Sequence, residues 1–418
     1  MSQSAVILPG SPLTGAAAAA DMNAAWAAMT SKFSGTTAPT LGPGTLGALV
    51  AGQDWLDTSV NPYVWRVWDG TQWVVHGFID PTNHLSNSAL SWRNIAADNG
   101  GFEVWQRGAG ASATFAVSAT STAYTADRWY LNTNANQACT VAAVTGLVNG
   151  SRLACKVQRN NGQTGVGVPV FGFPLDTDEC AMIQGKVVTI SFTAKAGANW
   201  SPAGGLLVIT LSCGTGTPVK FVVGYTGGNF PINALNAALT ATPTRFSFVS
   251  SVVPTNTTQA EIDFSWVPVG TAGADDSFTV DDVQMEVESA ATPFERTPFE
   301  KSMLGCKRHY AKTFAYGTAP AQNAGVVGAL GANTQVVTAD VSWNWNFPVS
   351  MRVNPTITTY NPSAANSSAR NVTGAADVAI SVDPNTALSP DRVFIETTAT
   401  VAAQNSNIYV QVAADAGI

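Results

Sequence analysis

Short apolar segments separated by turn residues fill residues 95–296 and limit the folds that this chain can adopt. They are rich in β-branched and aromatic residues and have the lengths of strands. Clusters of Gly, Pro, Asn and Asp lie between them, and no helical periodicity intervenes. The segments include GKVVTISFTAKAG, LLVITLSC, TRFSFVSSVV, AEIDFSWVPV and DSFTVDDVQMEV. This spacing predicts a mainly β fold with a jelly-roll β-sandwich over these residues.

A second β-rich region covers residues 313–418, after a hinge with a short helix at 297–312. Its segment VSWNWNF alternates strictly, which places Trp343 and Trp345 on one face of a strand. These two rings and Tyr360, which we call the tip aromatics because they lie in the last domain of the chain, are candidate ligand contacts. For the tryptophans, the alternative is packing in the core of a subunit assembly. The region is predicted to form a C-terminal β-sandwich.

An Ala-rich run predicts an attachment helix within residues 1–37. Its large apolar residues recur with the spacing of a short coiled-coil seam, although a single docked amphipathic helix is equally compatible. They are Met22, Trp26, Met29 and Phe33. Residues 38–94 then hold a Gly- and Pro-rich linker and a small Trp-rich β-unit, whose large side chains are expected to form its core.

Charge and hydropathy exclude two classes of partner, nucleic acids and the membrane interior. Charged residues make up only 11% of the chain, and the net charge is −7. A nucleic-acid partner needs a basic surface, so none is expected. No stretch approaches the roughly 18 apolar residues of a membrane span, so no membrane insertion is expected. The first basic residue is Lys32, too late for a secretory signal, which favours assembly in a cytoplasm.

Motifs for catalysis are absent from the sequence, which contains no GxSxG, P-loop or HExxH pattern. Cys306 and His309 can share one helical face, but a Cys–His nucleophile pair usually comes from distant segments. Asp176, Asp178 and Glu179 can supply a glycosidase-like carboxylate pair, although a solvated loop is the simpler interpretation. We therefore predict a protein that is not an enzyme.

The five cysteines show no CxxC spacing, which argues against a zinc site. Free Cys packs as a small hydrophobe, so most of them are expected to be reduced core residues. The sequence leaves open whether any two of them form a disulfide.

One pair of carboxylates is a candidate structural calcium site. Glu103 follows the turn that opens the large β-region, and Asp282 lies in the segment that closes it. The first and last strands of a jelly roll can lie close together, and Ca²⁺ prefers oxygen ligands such as carboxylates. The alternative is two exposed carboxylates near a turn.

Several motifs carry a family resemblance. NGGFEVWQRG, YTADRWY, GKVVTISFTAKAG and DDVQMEVESAATPFERTPFEKSMLGCKRHYAKTF occur in this order between about residues 95 and 312. Together they are similar to the jelly-roll region of bacteriophage tail-fibre and related virion proteins. Residues 38–78 resemble a small Trp-bearing β-unit near the start of phage structural proteins. The segment FPVSMRVNPTITTYNP resembles the β-domain that ends many such fibres.

The resemblance implies a virion protein, usually a homotrimer, that is fixed to other virion proteins by its N-terminus and displays β-domains outward. The large domain also resembles the carbohydrate-binding jelly rolls of polysaccharide-active enzymes. In those modules the NGGFE and DDV segments form a structural calcium site, which implies Glu103 and Asp282 as ligands. We therefore expect a non-enzymatic fibre protein that attaches to a host-surface glycan. The alternatives are a purely structural head, collar or baseplate protein and a polysaccharide depolymerase.

Overall fold

The computed structural model describes most of the chain beyond residue 50, in segments separated by short gaps. The described residues form mainly β structure, with several antiparallel sheets in a sandwich-like arrangement, so the prediction of a mainly β fold is confirmed. No helix among them is long and apolar enough to cross a membrane. The described ranges are 34–38, 51–60, 63–80, 85–88, 94–95, 98–133, 137–225, 230–288, 290–334, 340–382, 388–398 and 405–418.

The chain divides into two compact units. One comprises Met1–Arg93 and Glu288–Pro293, and the other comprises Asn94–Val287 and Phe294–Ile418. The predicted attachment helix falls on residues before 34, so its four apolar positions lie outside the described residues. They are Met22, Trp26, Met29 and Phe33.

The first unit contains a five-stranded sheet in sequence order, with the first pair of strands parallel and the others antiparallel. Trp73 packs edge-on against Trp55 and Trp68, with ring centroids 5.6 and 5.5 Å apart. Trp55 is only 6% exposed, so its ring belongs to the interior of the unit. The strands are β1 Ser34–Gly35, β2 Asp54–Asp57, β3 Tyr63–Trp68, β4 Trp73–Asp80 and β5 Leu85–Ser88.

The second unit begins with two six-stranded sheets, which we call sheet I and sheet II. Sheet I contains β6 Thr114–Val117, β9 Cys139–Thr145, β10 Leu153–Arg159, β12 Thr189–Ala196, β15 Thr244–Val249 and β17 Asp276–Glu286. Sheet II contains β7 Thr122–Tyr124, β8 Tyr130–Asn132, β11 Val170–Leu175, β13 Leu206–Gly214, β14 Phe230–Ala238 and β16 Gln259–Ser265. The strand orders are β15-β12-β17-β10-β9-β6 and β14-β13-β16-β11-β8-β7.

The two sheets share one apolar core. Phe171 of β11 and Phe264 of β16 face it from sheet II, and Phe192 of β12 faces it from sheet I. Trp129 stacks on Phe171 at 4.9 Å, and all four rings are fully buried. Burial of each such ring contributes about 2–3 kcal/mol to stability. Because side chains alternate along a strand, the neighbours of Phe171 and Phe264 along β11 and β16 point to the outer face of sheet II.

Two α-helices flank the sandwich, α1 at Thr177–Ile183 and α2 at Phe299–Lys307. Helix α1 begins with a capping box, in which Asp176 accepts a hydrogen bond from the Glu179 backbone N–H at 2.9 Å. The Glu179 carboxylate accepts one in return from the Asp176 backbone N–H at 2.8 Å. Short 3₁₀ helices lie at Gly110–Ser112, Ala203–Gly205 and Phe221–Val223.

The C-terminal region forms two further sheets centred on the long last strand and on β25. The first contains β18 Tyr310–Lys312, β19 Leu330–Asn333, β21 Thr356–Tyr360, β22 Ala369–Asn371, β23 Ala376–Val378 and β26 Asn407–Asp415. The second contains β20 Ser342–Asn346, β24 Ile380–Val382 and β25 Arg392–Thr397.

The predicted tip aromatics take different positions in this region. Trp343 is 4% exposed and belongs to the C-terminal core, which corrects the expectation that its ring is open to a glycan. Trp345 is partly buried and packs edge-on against Phe347 at 5.0 Å. Tyr360 is half-buried and packs edge-on against Phe314 at 5.3 Å. The tryptophans therefore pack within a single chain.

Candidate functional site

The outer face of sheet II carries an unusual set of polar side chains. Pairing places Asp263 of β16 between Gly172 of β11 and Thr210 of β13. In the next row, Glu261 lies directly opposite Ser212. All of these positions alternate with core residues, so they project away from the sandwich interior.

Residues 215–225, which we call the covering segment, lie over part of this face. The Phe221 backbone N–H donates to the Glu261 carboxylate at 2.8 Å. The Gln259 side-chain amide donates to the Thr215 carbonyl at 3.1 Å. The Gly216 N–H donates to the Thr258 hydroxyl at 2.7 Å. These contacts fix the covering segment on β16 and remove the acidic residues beneath it from water.

Glu261 and Asp263 are buried carboxyl groups two residues apart on β16, with exposures of 0% and 4%. Tyr130 donates its phenolic hydrogen bond to Glu261. Neither carboxylate oxygen of Asp263 accepts a hydrogen bond from the described residues. Burial raises the pKa of both groups, and the neighbouring Glu261 raises the pKa of Asp263 further. The two carboxyl groups therefore place several hydrogen-bonding oxygens together in a position that water does not reach.

Gly172 makes the approach of Tyr130 to Glu261 possible. A Cβ atom at Gly172 would lie 2.7 Å from the Tyr130 ring and would also collide with the Glu261 carboxylate. A residue with any side chain would therefore displace one of the two partners.

A third row on this face, on the other side of Asp263 from Glu261, is partly accessible, and we call it the open row. It runs across the sheet through side chains that are uncharged and that pair in register. The Asn132 amide donates to the Thr122 hydroxyl at 2.6 Å, and Asn236 is exposed at the far end. Uncharged donors and acceptors beside small apolar surfaces are the groups that bind sugar hydroxyls and C–H faces. Its members are Thr122, Asn132, Val170, Ser265, Val208 and Asn236.

Each predicted calcium ligand has an arginine partner. Glu103 pairs with Arg152 at 2.7 Å, and Asp282 pairs with Arg296 at 2.9 Å. A calcium ion bound there would have to compete with these guanidinium groups. Calcium binding by Glu103 and Asp282 stays a prediction.

Asp282 also shows local strain. Its φ is +51°, in the left-handed region that few residues other than Gly, Asn and Asp adopt, and it lies where the register of β17 shifts against β12. Burial and the adjacent Asp281 carboxylate raise the pKa of Asp282 to about 7. This carboxyl group therefore changes its charge near neutral pH.

The Cys306–His309 pair is buried and uncharged. The Cys306 thiol donates to the Asp98 carbonyl at 3.3 Å, and burial raises its pKa well above the ordinary value. Burial also lowers the pKa of His309, and nearby arginines lower it further. A buried neutral thiol is not the thiolate that nucleophilic catalysis needs.

The predicted glycosidase-like carboxylates are held in structural ion pairs. Arg128 donates to both Glu179 oxygens at 2.9 Å and to Asp98 at 2.8 Å. Arg308 donates to Asp176 and Asp178. Asp98, Glu179 and His309 also have ligand atoms within 4.8 Å of one another, but the Arg128 guanidinium already supplies the cation between the two carboxylates.

The segment AEIDFSWVPV is a predicted strand, but Glu261 and Asp263 within it are not among the site residues predicted from the sequence. The signal was present, because Ile262 and Phe264 are core residues and strict alternation places Glu261 and Asp263 on the opposite face. The burial of that face could not be read from the sequence, because the covering segment comes from a loop some 40 residues earlier.

No protein-family model matches this chain. No curated protein matches it either. Among solved structures, the chain is similar to the enzymatically active domain of bacteriophage CBA120 tailspike protein 4, with 11% identity and a TM-score of 0.29. That match covers 47% of this chain and 21% of the tailspike chain, so this protein spans about a fifth of its length.

Two carbohydrate-binding modules show a similar degree of likeness. The CBM22-1 xylan-binding domain from Paenibacillus barcinonensis Xyn10C shares 14% identity, with a TM-score of 0.28, over 42% of this chain and 99% of that chain. A CBM4 structure shares 18% identity, with a TM-score of 0.24, over 35% of this chain and 78% of that chain. These scores are too low to carry an argument about function.

Proposed function

We propose that this protein is a non-enzymatic structural component of a bacteriophage virion. It is a homotrimeric fibre or appendage protein that is assembled in the host cytoplasm and fixed to the particle by its N-terminal segment. Its β-domains attach to a host-surface glycan. The proposal rests on the ordered sequence motifs between residues 95 and 312 and on the outer face of sheet II.

The open row is the observation that carries the glycan-binding part. It offers the hydroxyl group of Ser265 and the exposed amide of Asn236 beside the small apolar surfaces of Val170 and Val208. No member is charged, which suits a neutral polysaccharide bound by hydrogen bonds and packing. The row runs across five strand pairings, so a ligand would contact rigid elements rather than a loop.

The ion pairs and burial of the candidate catalytic groups support a non-enzymatic role. Asp176, Asp178 and Glu179 bind arginines, and Cys306 is a buried neutral thiol. A glycosidase needs one carboxyl group free to give a proton and another free to attack or activate water. Carboxylates held in ion pairs with guanidinium groups are not free to give a proton, to attack or to activate water.

The glycan-binding proposal is tested by applying the full-length protein to an array of bacterial surface polysaccharides. Ser265→Arg places a long charged side chain in the open row and should abolish binding. Ser247→Arg makes the same change at an exposed serine of β15 on sheet I and should leave binding intact. Equal binding by both variants would remove the open row as the site. Released oligosaccharide would show a depolymerase instead.

A further inference from the structure

We propose that Glu261 and Asp263 hold a divalent cation, Ca²⁺ by its chemistry, beneath the covering segment. This inference is independent of glycan binding and concerns residues other than the predicted calcium ligands Glu103 and Asp282. The cation would bridge β16 of sheet II to the covering segment.

The first observation is that Glu261 and Asp263 form no ion pair with a cationic side chain of the described residues. Two other carboxylates of the sandwich interior have a guanidinium partner: Asp276 pairs with Arg159 at 2.9 Å, and the largely buried Glu179 pairs with Arg128 at 2.9 Å. Buried Asp127 and Asp281 instead accept hydrogen bonds from N–H groups, a contact that Asp263 lacks among the described residues. Within the described part of the chain, neither Glu261 nor Asp263 has an ion-pair partner. Two buried carboxyl groups side by side need either a shared proton or a cation.

The second observation is a set of neutral oxygens that lack partners at the same place. The Ser212 hydroxyl lies directly across from Glu261 on the same face, and Ser212 is 1% exposed. Neither its oxygen nor the buried Tyr225 hydroxyl has a hydrogen-bond partner among the described residues. Tyr225 belongs to the covering segment. Burial raises the pKa of its hydroxyl group, and the charges of Glu261 and Asp263 raise it further. Buried polar atoms without partners are rare and mark places where a ligand, ion or water binds.

The chemistry of these oxygen ligands favours Ca²⁺ over other ions. Carboxylate and hydroxyl oxygens are hard ligands, and Ca²⁺ accepts six to eight of them in flexible geometry. No N–H or O–H donor of the described residues reaches an Asp263 oxygen, and the Asp263 carboxyl group lies within hydrogen-bond reach of Glu261, so a cation that replaces the shared proton can bind both carboxylates. The Lys220 ammonium is the nearby positive charge, and it lies over the Tyr124 ring at 4.3 Å rather than in an ion pair with either carboxylate. One lysine leaves the pair with excess negative charge.

Terbium luminescence tests the site, because Tb³⁺ replaces Ca²⁺ and is sensitised by nearby aromatic rings such as Tyr225 and Tyr130. The full-length protein, first treated with EDTA, is titrated with Tb³⁺ under tyrosine excitation and then with Ca²⁺. We expect a saturable signal that Ca²⁺ displaces. Asp263→Asn should weaken Tb³⁺ binding by about tenfold or more, and Ser212→Ala should weaken it to a smaller degree.

Asp391→Asn is the matched control, because Asp391 is an exposed carboxylate of the C-terminal region that belongs to neither candidate calcium site. We expect it to leave the Tb³⁺ signal unchanged. Loss of the signal in Asp282→Asn but not in Asp263→Asn would overturn the proposal and favour the Glu103–Asp282 site. Absence of any saturable signal would show that Glu261 and Asp263 share a proton instead. Thermal melts in EDTA establish that each variant is folded.

Discussion

Arg107 donates two parallel hydrogen bonds to the carboxylate of Asp415, at 2.7 and 3.0 Å. The guanidinium lies between two aromatic rings, with centroid distances of 4.4 Å to Tyr124 and 3.9 Å to Tyr310. Arg107 comes from the sandwich, and Asp415 ends β26. This bidentate, ring-flanked pair therefore joins the sandwich to the C-terminal region.

Arg107→Met should destabilise the chain, because it leaves Asp415 partly buried beside aromatic rings without its cation. We expect a loss of about 2 kcal/mol, less than for a fully buried pair, since Asp415 keeps some contact with water. The measurement is chemical denaturation at neutral pH. Arg152→Met, which breaks the more exposed pair with Glu103, should cost less than about 1 kcal/mol. Equal losses would contradict a special role for Arg107.

Asp282→Asn should stabilise the protein at alkaline pH. Because the native pKa of Asp282 is raised to about 7, the folded state binds more protons than the unfolded state between about pH 4 and 7. Stability from this group is therefore present at low pH and lost as the pH rises through that window. Asparagine cannot ionise, and it tolerates the positive φ of this position.

The expected gain at pH 8 is on the order of 2 kcal/mol, since one pKa unit corresponds to about 1.4 kcal/mol and relaxation relieves part of the repulsion. At pH 4.5 the variant and the wild type should be nearly equal. Thermal unfolding in EDTA at both pH values measures the difference. A gain that is larger at pH 4.5 than at pH 8 would rule out repulsion between Asp281 and Asp282 as the cause.

Gly172→Ala should separate Tyr130 from Glu261. The new methyl group would lie 2.7 Å from the Tyr130 ring, so we expect a loss of about 1–3 kcal/mol in the free energy of unfolding. Gly317→Ala is a suitable control, because no atom lies within 4 Å of a Cβ at that position. It should change stability by less than about 0.5 kcal/mol. Similar stabilities of the two variants would show that the face adapts to the extra carbon.

All five cysteines should resist thiol reagents in the folded protein. Each is free and buried, and burial raises the pKa of Cys155 and Cys306 well above the ordinary value. A disulfide-exchange reagent should therefore label less than one thiol per native chain and all of them after denaturation. Rapid labelling of the native protein would contradict the burial. The five residues are Cys139, Cys155, Cys180, Cys213 and Cys306.

The sequence predicted the sandwich because its core strands carry their own periodicity. Ile262 and Phe264 alternate with Glu261 and Asp263, so the sequence of this strand alone indicates which face is apolar and which is polar. Aromatic residues in the small N-terminal unit likewise indicated a packed core, and Trp55 is buried there. A local pattern of this kind can be recognised in the sequence without knowing which strands pair with each other.

Features that depend on distant partners were not predictable. Alternation placed Trp343 on one face of β20, and pairing sets Ile395 of β25 beside it. That face is buried because it belongs to the C-terminal core, which also contains Val410 of β26. Asp176 and Glu179 looked like a carboxylate pair in a loop, and they form a helix cap instead. Asp176 is further bound by Arg308, which lies 132 residues away in the chain.

Labelling of purified virus particles with gold-conjugated antibody against residues 313–418 tests whether this protein is a tail-fibre component of the virion. We expect label on the particle, at the extremity of the tail or its fibres. Label confined to the neck, capsid or tail tube would favour a purely structural role without receptor binding. Particles from the producing host that carry no label anywhere would contradict the assignment of this protein to the virion.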